Sequence, residues 1–304
     1  MSNNSVFEVG ALEGDSFMPA IDVVGLRHLM DLSIGRADIA IGLIDGPVEF
    51  NHPELASLRN RLVAVGREAS CESDRSDSCQ HGTFIAGMLC AARGSGAPAI
   101  CPGCTLLVHP VFARRTDKPA TTVHALARAI DRTVAAGARV LNISLEIARS
   151  SEPASEAMLL DSLNAAARRG VLIVAAAGNG SQVGSSAITR HPWVIPVVAF
   201  DGRRRPLATS NLGHSIGRNG IGAPGHAITS LAPDGKLTTA SGTSISAPFV
   251  TGTIALLLSL FPRSTPTHVR RAIAGSSRRL AIVPPLLDAF AAYRQLGASF
   301  QERS

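Results

Sequence analysis

The stretch Gly242-Thr243-Ser244-Ile245-Ser246-Ala247-Pro248 decides how this chain is read. Leu237-Thr238-Thr239-Ala240 approaches it like a strand, and Phe249 to Leu260 follows as an apolar run that reads as a buried helix. A serine in the first turn of a helix sits among backbone N–H groups that lack partners, at the positive end of the dipole. Negative charge developing beside it is stabilised. Gly242 lets the chain turn sharply and lets another backbone come close. Taken alone, such a serine reads as an ordinary N-cap, a role serine often fills. Its companions elsewhere in the chain argue for a nucleophile.

Two further segments share the design. Asp38-Ile39-Ala40-Ile41-Gly42-Leu43-Ile44 is a continuous apolar run opening on an acid, the pattern of a strand covered on both faces in a parallel sheet. It ends in Asp45-Gly46, which puts a carboxylate at the strand's carboxyl end, where open α/β sheets hold ligands. His81-Gly82-Thr83 is expected to begin the small-residue helix Phe84 to Ala92. An acid that orients an imidazole, an imidazole that takes a serine proton and a serine that attacks a carbonyl form a nucleophilic triad.

These three segments, in the chain order Asp, His, Ser, closely resemble the signatures of subtilisin-like serine proteases, the subtilases. A fourth, Val171-Leu172-Ile173-Val174-Ala175-Ala176-Ala177-Gly178-Asn179, is similar to the family's strand ending in the oxyanion-hole asparagine. The resemblance implies that Asp45, His81 and Ser244 are catalytic. It implies that Asn179 donates to the tetrahedral intermediate beside the Ser244 N–H, worth about 2.7–4 kcal/mol in such enzymes. It spans roughly residues 20 to 295 and implies an α/β fold: a mostly parallel central sheet with helices on both faces. Peptide hydrolysis by this route needs no metal and no organic cofactor.

Composition agrees. With 304 residues, 45% hydrophobic and 17% charged, the chain can bury one large core. No linker-like stretch or internal repeat divides it, so one catalytic domain is expected over residues 20–296, with an N-terminal extension 1–19 and a short tail 297–304. At 4% aromatic, that core must rest on Ala, Val, Ile and Leu. Strand and helix patterns alternate. Ile39–Ile44, Leu106–Val111, Arg139–Leu145, Val171–Ala177 and Val194–Phe200 read as strands. Thr122–Ala136, Ser155–Arg169 and Leu286–Leu296 read as helices, besides those at His81 and Ser244. Such alternation points to parallel βα units.

In this family an extended peptide adds to strands flanking the crevice. The matching strands here make Ser144, Leu145, Glu146, Ala177 and Gly178 candidate substrate-binding residues. Glu146 stands where relatives commonly have the glycine that rims the pocket for the residue before the scissile bond. It narrows that pocket, offers charge to a basic residue, or points into solvent. Phe112 walls the neighbouring subsites by resemblance, or is an ordinary core phenylalanine.

The N-terminus, Met1-Ser2-Asn3-Asn4-Ser5, has neither a basic region nor a long apolar stretch, so no secretory signal is read. The apolar run Ile254–Phe261 falls far short of the roughly 20 residues of a membrane span. The first triad member comes at residue 45, too early for the inhibitory prodomain usual in secreted relatives, so a cytoplasmic protease without a zymogen stage is expected. Relatives often bind calcium after the histidine helix. Arg93-Gly94-Ser95-Gly96-Ala97-Pro98 offers no carboxylate or amide there, and calcium wants six to eight oxygens.

Of five cysteines, Cys71 with Cys79 and Cys101 with Cys104 read as local disulfides or free thiols. A zinc site lacks suitable ligand spacing, and Cys90 reads as a small buried hydrophobe. His52, in a turn resembling a structural motif of the family, and His109, His124, His191, His214, His226 and His268 show no metal spacing and read as structural or exposed. The net charge of +6 includes doublets at Arg114-Arg115, Arg168-Arg169, Arg270-Arg271 and Arg278-Arg279, and the triplet Arg203-Arg204-Arg205. One Trp and one Tyr cannot interleave these as a single-stranded nucleic-acid binder would, which leaves surface solubility or attraction to an acidic peptide.

Within the family, Asp45-Gly46-Pro47-Val48, the Arg114-Arg115 loop after Pro110-Val111-Phe112 and the compact form resemble small proteases of cyanobactin-type natural-product clusters. The implied task is leader removal from a ribosomal precursor peptide. A general intracellular peptide-degrading subtilase and a non-catalytic peptide-binding homologue are the alternatives. Intact Asp45, His81, Asn179 and Ser244 weigh against the last.

Overall fold

The run Ala40–Asp45 has no polar stripe to turn toward water and therefore needs cover on both faces; five of its six residues are buried. The computed structural model describes residues 19–71, 76–112, 121–145, 153–275 and 281–301. In it this run is strand β1 of a seven-stranded sheet. The others are β2 (Leu62–Ala64), β3 (Thr105–Pro110), β4 (Val140–Ile143), β5 (Leu172–Ala176), β6 (Val194–Phe200) and β7 (Ile221–Pro224). Their order is β2-β3-β1-β4-β5-β6-β7 and every neighbouring pair is parallel. A separate antiparallel hairpin joins β8 (Ile228–Ala232) to β9 (Lys236–Ala240). The helices in chain order are α1 (Ala20–Val23), α2 (Leu26–Leu32), α3 (Asp77–Cys90), α4 (Val123–Ala135), α5 (Pro153–Arg168), α6 (Ala187–Arg190), α7 (His214–Asn219), α8 (Thr243–Leu260), α9 (Pro266–Ala274) and α10 (Ala289–Gln301).

Two apolar layers sandwich the sheet. On one face Ile41 and Leu43 join Phe84, Leu89, Phe249 and Leu257 of α3 and α8. On the other Ile44 joins Ile130 of α4 and Leu163 of α5. Side chains alternate along a strand, so Asp45 follows Ile41 and Leu43 toward the α3–α8 face. That alternation selects the layer in which a carboxylate at the end of β1 meets its partners.

The α/β architecture is the one expected, but β2 and β7 were not read from the sequence and two helices start at other residues than expected. Helix α3 begins at Asp77, capped by Ser76, whose Oγ accepts from the Cys79 N–H at 3.3 Å, so His81 lies in the second turn and not at the start. The segment before Gly242 is strand β9, as expected, and it pairs in the hairpin; lysine and threonines on a half-exposed run cannot be covered on both faces as the central strands are. The C-terminal helix starts at Ala289 instead of Leu286. Asp288 Oδ1 accepts from the Ala291 N–H at 2.8 Å, and Leu286 bridges to Gly222 after the Pro284-Pro285 pair. Helix α8 has the length and hydropathy to cross a bilayer, yet 94% of it is buried inside the protein, as a core helix is.

Candidate active site

Three elements converge on one buried point. The imidazole of His81 lies with Nδ1 2.7 Å from Asp45 Oδ1 and Nε2 3.0 Å from Ser244 Oγ. Asp45 is 0% exposed, Ser244 5% and His81 9%. An ionised carboxylate only accepts, so the Nδ1 proton faces Asp45 and Nε2 is left to accept from the serine hydroxyl. Asp45 Oδ1 also accepts the Gly46 N–H at 2.6 Å, whereas Oδ2 is buried with no hydrogen-bond partner among the described residues. The approach of α3 depends on Gly82. A β-carbon there would stand 2.3 Å from the Pro47 carbonyl oxygen and 2.6 Å from that of Gly46, a backbone overlap that no side-chain rotation relieves. Burial works against a charged His81, but the charge and hydrogen bond of Asp45 outweigh it and hold the imidazole above its ordinary value of 6.5.

A covalent link reinforces this contact. Cys71 and Cys79 form a disulfide between the first turn of α3 and a segment that pairs with Val48. The chain leaving Asp45 and the helix carrying His81 are thereby tied together, worth about 2–3 kcal/mol for a loop this short.

Ser244 is held from below. Gly242 precedes α8 at φ 138°, a conformation that side-chain-bearing residues rarely adopt, and it brings the chain round so that Ser244 falls in the first helical turn. Pro248 lacks the N–H that would bond the Ser244 carbonyl four residues back. The Ser144 hydroxyl supplies that bond at 3.3 Å. Its oxygen accepts from Asn142 Nδ2 at 2.5 Å, and Asn142 Oδ1 accepts from Thr251 Oγ1, on α8 again, at 2.8 Å. Beside them, Asn179 Oδ1 accepts the Thr243 N–H at 2.9 Å, and the Gly178 N–H donates to Thr243 Oγ1 at 3.1 Å. Anchoring Oδ1 fixes the amide, so Nδ2 is its donor face. The Ser244 N–H, one of the orphan donors of the helix start, has no partner among the described residues.

Residues 36–292, most of the chain, match the subtilase family. The chain belongs to the subtilase family. Subtilisin DY of Bacillus licheniformis is 28% identical over 249 residues, covering 80% of this chain and 85% of that one. Against subtilisin E of Bacillus subtilis the identity is 27%, and the match spans 77% of this chain but only 59% of the relative's length. Among solved structures, a serine-to-alanine variant of the protease domain of PatA superposes with a TM-score of 0.78 at 30% identity, covering 87% of this chain and 97% of that one. The prenylagaramide maturation protease PagA gives 0.77 at 28%, covering 90% and 98%. The PatG macrocyclase in complex with peptide gives 0.78 at 21%, covering 92% and 98%, a likeness of fold alone. These likenesses make the chain, by class, a serine endopeptidase.

The remaining candidates of this subtilase divide. Ser144 and Leu145, past the end of β4, and Ala177 and Gly178, past β5, are buried on adjacent parallel strands next to Ser244 and Asn179. Phe112 is half-buried in the cluster under α4 and α5 that also contains Leu145. Glu146 and the Arg114-Arg115 and Arg278-Arg279 doublets lie outside the described residues. Sequence reasoning missed Thr243, Asn142 and Thr251. Thr251 had a signal, being one of the few hydroxyls in the apolar body of the helix, two turns after Ser244.

Of the cysteine readings, the disulfide holds for Cys71–Cys79, while Cys101 and Cys104 are buried free thiols beside Cys90. Hydrogen bonds with Cys104 and Cys90, then burial, push the Cys101 thiol well up, away from nucleophilic character. After α3, the Arg93 guanidinium donates to the carbonyls of Met30, Ser33 and Ile100 at 2.5, 2.9 and 3.4 Å. Among the described residues no three His, Cys, Asp or Glu side chains stand together as a metal site. His52 reads as structural: Nδ1 accepts from the Glu54 N–H and Nε2 meets the Ala232 carbonyl at 3.2 Å.

Proposed function

We propose that this subtilase hydrolyses peptide bonds through Asp45, His81 and Ser244. The observation that carries the reading is His81, at 2.7 Å from the carboxylate and 3.0 Å from the hydroxyl, in a site almost closed to water. Ser244 attacks the carbonyl while His81 Nε2 takes its proton, and Asp45 stabilises the imidazolium. The oxygen that becomes negative is received by Asn179 Nδ2 and the Ser244 N–H. His81 then protonates the leaving amine, and water cleaves the acyl-enzyme by the same route. Substrate would lie extended against the ends of β4 and β5, past Ser144, Leu145, Ala177 and Gly178.

The natural substrate in this reading is a ribosomal precursor peptide that loses its leader, in the cytoplasm. The likeness to the maturation protease PagA and to the protease domain of PatA, at 28% and 30% identity over nearly their full lengths, supports it. A serine-directed fluorophosphonate should label the wild type and leave Ser244→Ala unlabelled; labelling of both refutes the nucleophile. Mass spectrometry of products from a mixed pool of precursor and unrelated peptides tests the narrower part. Cuts confined to one junction of the precursor are expected, and indiscriminate cutting would make this a general peptide-degrading enzyme.

A further inference from the structure

At the amino ends of β6 and β7, the opposite ends of the strands from the crevice, lies a cavity of about 260 Å³. Arg218 of α7, Arg270 and Arg271 of α9, and Trp193 line it over a floor of Ile195 and Ile221. No carboxylate belongs to its described lining. Arg218 and Arg271 each stand in the last turn of a helix, where a cation complements the carbonyl end. That role explains each singly but not their convergence with a third arginine on one cavity.

The walls are organised in advance. Trp193 Nε1 donates to the Val171 carbonyl at 2.7 Å, which fixes the indole. The Arg270 guanidinium lies 5.1 Å from the ring centroid and donates to the Pro192 carbonyl. The adjacent His191 is disfavoured as a further cation: its Nε2 meets Asn164 Oδ1, and burial followed by the Arg270 charge hold its imidazole below the ordinary value. Guanidinium groups on two helices present planar forks to carboxylates, which they bind in pairs of charge-assisted hydrogen bonds. The volume is roughly that of eight or nine liquid waters, more than one small inorganic anion fills. Its apolar floor suits the methylenes of a glutamate, not a phosphate that wants polar walls throughout.

We propose that this cavity binds acidic side chains of a peptide segment remote from the scissile bond. The inference rests on the peptidase reading for its use, as a second anchor for a long substrate. Strand β6, seven residues long, separates the cavity from the crevice by roughly 20 Å at ~3.3 Å per residue, so a segment held here leaves the reacting carbonyl untouched.

Trp193 is the chain's one tryptophan and reports from inside the site. The Ser244→Ala protein, which cannot consume a peptide, would be titrated with hexaglutamate, hexaglutamine and inorganic phosphate at matched ionic strength, following Trp193 fluorescence. Hexaglutamate should give a saturable change that weakens with added salt. The Arg218→Ala/Arg271→Ala pair should weaken it about tenfold or more, since two charge-assisted contacts are lost. Both positions are exposed, so folding is retained, which circular dichroism checks. A response equal for hexaglutamine, a response to phosphate alone, no response, or one unchanged in the double variant overturns the proposal. Hydrolysis of a short neutral peptide should be the same with and without the two arginines. A failed peptidase reading shows instead as an unlabelled Ser244, so the two failures are distinct.

Discussion

Helices α4 and α8 cover opposite faces of the same sheet, and they are built on different rules. Helix α4 buries Leu126, Ala127, Ala129, Ile130, Thr133 and Val134 and turns its other side to solvent. Helix α8 is buried at every residue from Thr243 to Ser259. A helix with a wet side can leave its polar groups there, whereas a helix with none must find a partner for each. Thr253 and Ser259 donate to carbonyls one turn back at 2.7 Å, and Thr251 reaches across to Asn142. On α4 the single buried hydroxyl, Thr133 Oγ1, has no partner among the described residues. The cross-link from Thr251 to Asn142 continues through Ser144 to the Ser244 carbonyl, so the proposed nucleophile is held where burial is most complete.

That contrast can be broken at several points. The largest effect belongs to Asp45, the charged group of the α3–α8 face. Asp45→Asn should lower kcat by about 10⁴-fold, because the imidazole loses its orienting acceptor and prefers the wrong tautomer. The pH profile gives a second readout. Activity needs neutral Nε2, so the wild-type acid limb should lie above the ordinary imidazole value of 6.5, where Asp45 holds it. Without that charge only burial acts, and the limb should move to lower pH; a limb that stays put would show that Asp45 does not set it. The same shift has a stability consequence. A raised folded-state value means that the His81–Asp45 pair stabilises the fold fully below 6.5 and loses that contribution as pH rises through the folded value. Asn179→Ala comes next: kcat should fall about 10²–10³-fold with KM little changed, since the donor acts on the transition state. An equal rise in KM would recast Asn179 as a ground-state contact.

The same substitution on the two helices then tests the rule itself. Thr251→Val removes the donor to Asn142 Oδ1 and leaves a buried acceptor unpaired, for a loss of about 1–3 kcal/mol in denaturant unfolding. It should also lower kcat, through Asn142, Ser144 and the Ser244 carbonyl, without moving KM. Thr133→Val deletes a hydroxyl that has no partner among the described residues, and should leave stability unchanged or raise it by up to about 1 kcal/mol. Equal losses at both sites would mean that the polar network beneath Ser244 does no more than ordinary packing.

How much of this was legible in the sequence follows from the same difference. The amphipathic stripe of α4, expected over Thr122–Ala136, and the strands β1, β3, β4, β5 and β6 were read within a residue or two, because burial writes a pattern into the chain, whereas the short β2 and β7 were not read. Helix α3 was placed too late because its cap, Ser76, lies five residues before the imidazole that drew the reading to His81. The hairpin pairing of β9 was not legible either, since a short strand does not encode its neighbour.

The sequence by itself determined the residue types, their order and the periodicities, and with them an α/β sheet whose strand ends and helix starts carry an acid, an imidazole and a hydroxyl. Tertiary structure alone decided that Cys71 bonds Cys79 while Cys101 and Cys104 stay reduced. It also decided that Ser144 takes up the carbonyl freed by Pro248, and that Arg218 shares a cavity with Trp193 and the distant pair Arg270 and Arg271. The reason is range. Periodicity and capping act over a few residues, but a hydrogen bond or a bridge between side chains as far apart as Ser144 and Ser244 exists only once the sheet and its two layers have fixed where each one points.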